Sequence, residues 1–507
     1  MKYEIKGNYF NGRYNPSSSK GPEGVEHFIK RECPGDTSLV LWEMPIAYSQ
    51  IEEVVASAVD GFKFWRRLPL NERINFLKKY QEQVIAKQDL IAEAIALESG
   101  KPLWEAKTEV ASVIGKVDVT INDSLPRVAD INISEIAAGT NGSVHFRPLG
   151  PSLVIGPFNF PCHLANTQIL SALITGNSFI FKPSEKVAYS AQLMIDCFHE
   201  AGFPKGVVNL CQGDGEVARR LTGSKDIKGV FFTGSKEVGL NILKTTHTDL
   251  SKLVALELGG KNSSIIHKDA NTDLALEELL KACYLTAGQR CTSTSLIPIH
   301  RSVMNEFMDK FHNLSKKIIV DHPTDHEKTP FMGPLVDQRS LDQYLLFMGM
   351  AKREGFEEIM RGKQLTRKTE GYYVSPSIHF AEKWIEDSHF LQSEIFGPNT
   401  TFIPYDDIEE AIQITNSTEY GLAAGVFTAD KEVFTKCLEE IDSGLVNHNR
   451  STCGASAKLP FGGIKNSGNY HPAAVAMIDA CVYQKASLQC EDAKATGLDK
   501  ITGLELD

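Results

Sequence analysis

Two hydrophobic periods alternate along the chain, and the changes of period divide it. Residues 1–48 carry short apolar pairs separated by turn signals. Asn11-Gly12, between Tyr9-Phe10 and Arg13-Tyr14, predicts a hairpin, and 16–24 predicts a loop. Apolar positions then recur at helical spacing. Ile51, Val54, Val55, Ala58 and Phe62 predict a helix opened by Ser49 as its cap. Ile74, Leu77, Tyr80 and Val84 predict a second over 71–85. A third spans 89–99 and is stopped by Gly100, and a fourth covers 103–125.

Residues 126–147 change character. Ile131-Asn132-Ile133 and Ser143-Val144-His145-Phe146 predict two strands around Gly139-Thr140-Asn141-Gly142. A hairpin with so few core-sized residues is marginal alone and needs another surface, such as a second subunit. From Pro151 the pattern becomes strand, helix, strand. Apolar runs at 153–155, 178–181, 207–210, 229–232 and 253–257 predict strands, with helices at 167–175, 190–200, 215–222 and 238–245 between them. This alternation predicts an α/β fold with a parallel sheet covered on both faces. A second α/β region begins near Gly259. It has a strand at 263–266, a helix at 274–287, a strand at 296–299 and further elements to about Val446. The tail, 473–488, reads as helix-like and then strand-like.

Composition narrows the class. A chain of 507 residues, 42% apolar and 23% charged, holds two or three domains with large cores. Its net charge of −11 argues against nucleic acid as a partner. No apolar run reaches the length of a membrane span, and the first residues lack the apolar stretch of a secretory signal. The ten cysteines (33, 162, 197, 211, 283, 291, 437, 453, 481 and 490) form no Cys-x-x-Cys pair and stand near no histidine cluster. No metal site is expected from them, and the pattern fits a reducing cytoplasm.

The candidate chemistry lies at predicted strand ends. Cys291, in Gly288-Gln289-Arg290-Cys291-Thr292, follows a helix and a glycine turn. Such a cysteine is a nucleophile only if its thiolate is stabilised and its target polarised; taken alone it reads as a small buried hydrophobe. Pro157-Phe158-Asn159-Phe160-Pro161 fixes a loop at the carboxyl end of a strand, where Asn159 can offer amide hydrogens to an oxyanion. Lys182 and Glu185, in Lys182-Pro183-Ser184-Glu185, suit ribose hydroxyls, although such a stretch alone is commonly a solvated loop. Gly234, Ser235 and Gly239 open a helix in the manner of a phosphate site, but lack the Gly-x-Gly-x-x-Gly spacing. Glu257, between Leu256 and Leu258-Gly259-Gly260, is a carboxylate in apolar company, which suits a general base near neutral pH. Glu394-Ile395-Phe396-Gly397-Pro398 and Leu459-Pro460-Phe461-Gly462-Gly463 complete the set.

In this order, and with the interval from Glu257 to Cys291 that is usual there, these motifs resemble the aldehyde dehydrogenase superfamily from about Asn11 to Leu488. The resemblance implies a Rossmann-type NAD-binding domain (1–125 and 148–258), an α/β catalytic domain (259–465) and a β oligomerisation arm with tail (126–147 and 466–507). It implies NAD as cofactor, an aldehyde as substrate and a homodimer or homotetramer. Cys291 is then the nucleophile, Asn159 with the Cys291 amide the oxyanion hole, and Glu257 the base for the deacylating water. Lys182 and Glu185 hold the adenosine ribose, Ser235 meets the pyrophosphate, Glu394 holds the nicotinamide ribose, and Phe396 packs beside the nicotinamide. Many members continue the last motif as Ser-Gly-x-Gly-Arg-Glu. Here Ser467-Gly468 is followed by Asn469-Tyr470-His471-Pro472. With 444–450 and His163-Leu164-Ala165-Asn166, this is similar to a branch acting on a semialdehyde that bears two carboxylates. Arg450 and Lys458 are the expected local cations for them. Other semialdehydes or aliphatic aldehydes, a CoA-acylating reaction and a non-catalytic crystallin-like role are the alternatives. Glu257 argues against the second, and the intact Cys291, Glu257 and Asn159 against the third.

Overall fold

A computed structural model describes residues 1–16, 27–137, 139–325, 327–491, 497 and 501–505. The loop expected over 16–24 therefore lies, apart from Pro16, outside the described residues. The alternating region folds as its period predicts. Strands Ser152–Ile155, Phe179–Lys182, Val208–Leu210, Gly229–Thr233 and Leu253–Glu257 pair in parallel. The first strand lies centrally, between the second and the fourth, so the strand order reverses there. Such a reversal opens a crevice beyond the carboxyl ends of the two strands. The loops Gly156–Pro157 and Gly234–Ser235 both leave the sheet at that crevice. The Asn11-Gly12 hairpin forms as expected, both residues at positive φ, and adds two antiparallel strands to the same sheet.

A second sheet carries the later elements. Its central strands Asn262–Ile266, Thr294–His300 and Asn399–Tyr405 are parallel and buried. Two large cores sit on the faces of the two sheets. Strands Ile131–Ala137, Thr140–Pro148 and Val482–Cys490 form a separate antiparallel sheet. Ile131, Ile133 and Ile136 on its edge strand are about half exposed.

Several expectations are corrected. Ser49 is not the cap of the first helix: it lies inside a single tight turn, Tyr48–Gln50, that leads into Ile51–Trp65 without a side-chain cap. The fourth helix ends at Val119 rather than 125 and loosens into a wider turn over Thr120–Ser124. The helix before Cys291 is Thr272–Tyr284, because Thr286 and Ala287 take positive φ and break it. In the arm, Thr140, Asn141 and Gly142 are strand rather than turn. The tail is helix-like and then strand-like, as expected, and the segment ahead of it is tied to the first sheet. Ser467 accepts a hydrogen bond from the Leu258 amide at 2.9 Å through its carbonyl, and Asn469 donates to the Leu256 carbonyl at 3.0 Å. Val475–Cys481 packs Met477 and Ile478 into the first core. Only Val482–Cys490 enters the arm sheet.

Candidate active site

Cys291 sits on a loop that three sets of contacts hold in place. Thr286 and Ala287 are left-handed, at φ of 55° and 54°, a costly conformation for residues with a Cβ, held here by the surrounding structure. Asn262 donates from Nδ2 to the carbonyls of Cys291 (2.7 Å) and Ser293 (3.0 Å) and accepts from the Ala423 amide (3.1 Å). Asn159 donates from Nδ2 to the Gln289 carbonyl at 2.9 Å, two residues before Cys291. A carboxamide nitrogen carries two hydrogens, so one remains for a ligand oxygen. The chain thus joins the loop after a strand of the first sheet to the loop before a strand of the second, and the candidate oxyanion donor and nucleophile meet there.

Behind these loops lies a buried ionic network that the sequence did not disclose. On the helix Leu103–Val119, Glu105 and Glu109 stand one turn apart. Glu105 pairs with Arg290 and accepts from the hydroxyl and, at 3.1 Å, the amide of Thr286. Burial opposes its charge, but Arg290 and Lys101 outweigh burial and lower its pKa. Glu109 pairs with Lys101 at 2.5 Å, both side chains wholly buried, and accepts from the amides of Cys162 and His163 at 3.0 and 3.1 Å. One carboxylate therefore fixes the nucleophile loop and the other the turn after Asn159. The signal available in the sequence was Glu105 and Glu109 at helical spacing among apolar neighbours, with Lys101 just before the helix. It reads equally as a solvated charged face.

Glu257 is 1% exposed, and neither carboxylate oxygen has a hydrogen-bond partner. Burial alone raises its pKa well above the usual carboxylate range. The segment after the last glycine motif clips its strand in place: Asn469 accepts from the Leu256 amide at 2.7 Å, and a side chain at Gly468 would collide with the Leu256 carbonyl. Cys291 is partly buried. Burial first, then the charges of Glu257 and Glu394, push its thiol pKa up, and Arg290 opposes them. The stabilised thiolate asked of this position is thus not present in the protein alone.

The other predicted residues divide between two places. Glu394 accepts from the Gly260 amide at 3.1 Å, and burial raises its pKa to about 7. Gly259 must lack a side chain, because a Cβ there would lie 2.0 Å from Glu394 Oε2. Phe396, at φ 52°, packs edge-on against Phe158 with centroids 5.8 Å apart. Phe396 thus reaches the loop of Asn159, and Glu394 the glycines after Glu257. Lys182, Glu185, Gly234 and Ser235 lie instead at the crevice of the first sheet. Lys182 is buried with its ammonium 3.6 Å from Glu185. Ser235 caps the helix Lys236–Thr246, accepting from the Val238 amide. Gly239 faces Leu258, 2.8 Å from where its Cβ would stand, and so permits close helix–strand packing. Arg450 and Lys458 are exposed, their nearest carboxylates Glu278 at 3.9 Å and Asp123 at 3.4 Å. Among the described residues no cluster of three or more His, Cys, Asp or Glu could hold a metal, and no helix is long and apolar enough to cross a membrane.

A cysteine, an amide donor and an unpartnered carboxylate brought together by these loops are the kinds of group that covalent acyl chemistry requires. Comparison with known proteins names the class. The family model for the aldehyde dehydrogenase family matches residues 22–486. The chain belongs to that family and is an aldehyde-oxidising oxidoreductase. Among similar curated proteins is the N-succinylglutamate 5-semialdehyde dehydrogenase of Novosphingobium aromaticivorans, 36% identical over 447 residues, covering 88% of this chain and 93% of that one. The protein of the same description from Legionella pneumophila is 34% identical over 509 residues, covering 99% of each. A solved betaine aldehyde dehydrogenase variant from Staphylococcus aureus, in complex with NAD+, superposes with a TM-score of 0.89 at 26% identity and covers 97% of each chain.

The raised pKa of Glu394 has a consequence for stability. The native carboxyl stays protonated to about pH 7, whereas the unfolded one ionises near 4.5. Between these values the unfolded state gains by ionising, so wild-type stability is lost as pH rises through the window. Glu394→Gln should stabilise the cofactor-free protein at pH 8, on the order of 1–2 kcal/mol once partial exposure is allowed for, and leave it unchanged at pH 4. Denaturant midpoints at the two pH values check this; equal gains at both would contradict it.

Proposed function

We propose that this protein oxidises N-succinylglutamate 5-semialdehyde to N-succinylglutamate with NAD, through a thioester on Cys291. The observation that carries the chemistry is the meeting of Cys291, Asn159 and Glu257 at the crevice. The printed names of the relatives support the substrate. A dinucleotide fits the residues present. Lys182 and Glu185 suit a ribose, the helix start at Gly234–Ser235 suits the pyrophosphate, and Glu394 with Phe396 suits the nicotinamide end. NAD, when bound, would supply the hydride acceptor and a positively charged ring.

The Cys291 thiol gives up its proton to solvent, its Sγ adds to the aldehyde carbon, and the former carbonyl oxygen becomes an alkoxide. The free amide hydrogen of Asn159 and the backbone N–H of Cys291 hold that oxygen. Loss of hydride leaves a thioester on Cys291. Glu257 then takes a proton from water, whose oxygen attacks the thioester. The carboxylate leaves, and the sulfur is restored. A dry, unpartnered carboxylate with a raised pKa is a stronger base than a solvated one. Because only its ionised form accepts a proton, steady-state turnover should rise with pH.

Two variants separate the roles. Cys291→Ala should abolish turnover while NAD still binds; more than trace activity would remove the nucleophile. Glu257→Gln should give a burst of NADH followed by a slow steady state that no longer rises with pH. Stopped-flow absorbance reads both, and loss of the burst itself would place Glu257 in an earlier step.

The substrate reading is tested by steady-state kinetics on a panel of aldehydes. The diacid semialdehyde should exceed propanal in kcat/KM by at least ~100-fold, roughly 2.7 kcal/mol of differential binding in the transition state. Equal values would favour a general aliphatic aldehyde dehydrogenase.

The arm supports a homo-oligomer. Its edge strand Ile131–Ala137 is paired on one side only and presents Ile131, Ile133 and Ile136 half exposed. An open edge with exposed isoleucines is a surface that a second copy covers. Ile133→Asp should reduce the mass seen in sedimentation velocity; an unchanged mass would show that this face is not the interface.

A further inference from the structure

The helix Leu103–Val119 continues past its two carboxylates. Glu105 serves the nucleophile loop, Glu109 the turn after Asn159, and the Val113 carbonyl accepts from Asn166 at 3.1 Å. Next along the helix comes Lys116, 2% exposed. Its ammonium makes no hydrogen bond and no ion pair among the described residues. This differs from Lys101 and Arg290, each of which has its carboxylate. Beside it is His163, whose Nδ1 is buried and also has no partner. The charge of Lys116 helps hold the His163 ring neutral, its pKa lowered to about 4 by burial first. The His163 ring lies 6.4 Å from that of Phe160, next in sequence to Asn159, and the Phe160 ring is 5.0 Å from the Arg290 guanidinium, next to Cys291.

A line of groups thus runs from Arg290, next to Cys291, through Phe160 and His163 to Lys116. The segment 450–458 runs close to the same elements. It starts where Arg450 faces Glu278, passes Thr292 through Cys453 at 3.5 Å, and ends where Lys458 lies 3.4 Å from Asp123. Asp123 is the one charge that favours the Lys116 ammonium; burial opposes it more strongly and lowers its pKa to about 8. A buried ammonium without a paired anion is costly to the protein alone, and an anionic ligand offsets that cost. Neutral His163 can add one hydrogen bond.

Resting on the substrate reading above, we propose that Lys116, with Nδ1 of His163 beside it, anchors a carboxylate of the substrate while the aldehyde end lies at Cys291. Arg450, already facing Glu278 at the rim, is not the primary anchor.

The test uses the full-length enzyme with NAD. The readout is the ratio of kcat/KM for the diacid semialdehyde to that for propanal, together with the shift in Tm caused by N-succinylglutamate in the absence of catalysis. In Lys116→Met the ratio should fall at least 10-fold, mainly through KM of the diacid, and the Tm shift should vanish. Lys116→Arg should restore part of both. The Met variant should fold at least as well as wild type without ligand, because a lone buried charge is replaced by an apolar chain of similar length; Lys116→Arg carries the test if it does not. A high wild-type ratio that survives in Lys116→Met overturns the anchor alone. A wild-type ratio near one overturns the substrate reading, and the anchor with it.

Discussion

The site depends on one buried arrangement: two carboxylates, a turn apart on one helix, each neutralised by a cation and each holding a different loop. Glu105 with Arg290 fixes the backbone before Cys291, and Glu109 with Lys101 fixes the backbone after Asn159. Both loops contain conformations that would relax if released. Thr286 and Ala287 are left-handed, and the amides of Cys162 and His163 have a carboxylate as their acceptor. Buried ion pairs of this kind give little net stability compared with apolar packing, yet removal of one partner costs about 3–5 kcal/mol. Their value here is geometric. They set the distance between Asn159 and Cys291, whose loops come from different sheets.

The same economy of charge explains the resting state of the chemistry. Cys291, Glu257 and Glu394 share a region where burial disfavours every negative charge. Without its ligands the site therefore rests largely uncharged, with Arg290 the neighbouring cation acting on the thiol. Burial thus keeps the Cys291 thiol protonated, and so less open to stray oxidation.

The end of the chain closes the structure over the site. Asn469 binds the backbone of the Glu257 strand at Leu256 and Val254, and Gly468 lies against the Leu256 carbonyl where no side chain fits. Asn469, at the variable position of the Ser-Gly-x-Gly-Arg-Glu motif, thus helps hold the strand that carries Glu257. This tail segment belongs physically to the first core, although in sequence it follows the second domain.

Much of this was legible in the sequence. The strand–helix alternation of 152–257 follows from period and turn residues, which act locally, and Asn11-Gly12 and Gly100 adopt the positive φ that their chemistry favours. The order of the motifs pointed to Cys291, Asn159, Glu257 and Glu394, because the chemistry restricts which residue types can stand at strand ends. Tertiary structure decided what depends on distant partners. Ser49 lost its cap role, and the helix before Cys291 ended early at Tyr284, since Thr286 is held by Glu105 from 181 residues away. Lys101, Glu105, Glu109 and Lys116 carry no local mark that separates a buried charge from a solvated one. Only packing reveals that, among the described residues, three of them are paired and the fourth is not, because burial and counter-charge are properties of the assembled interior.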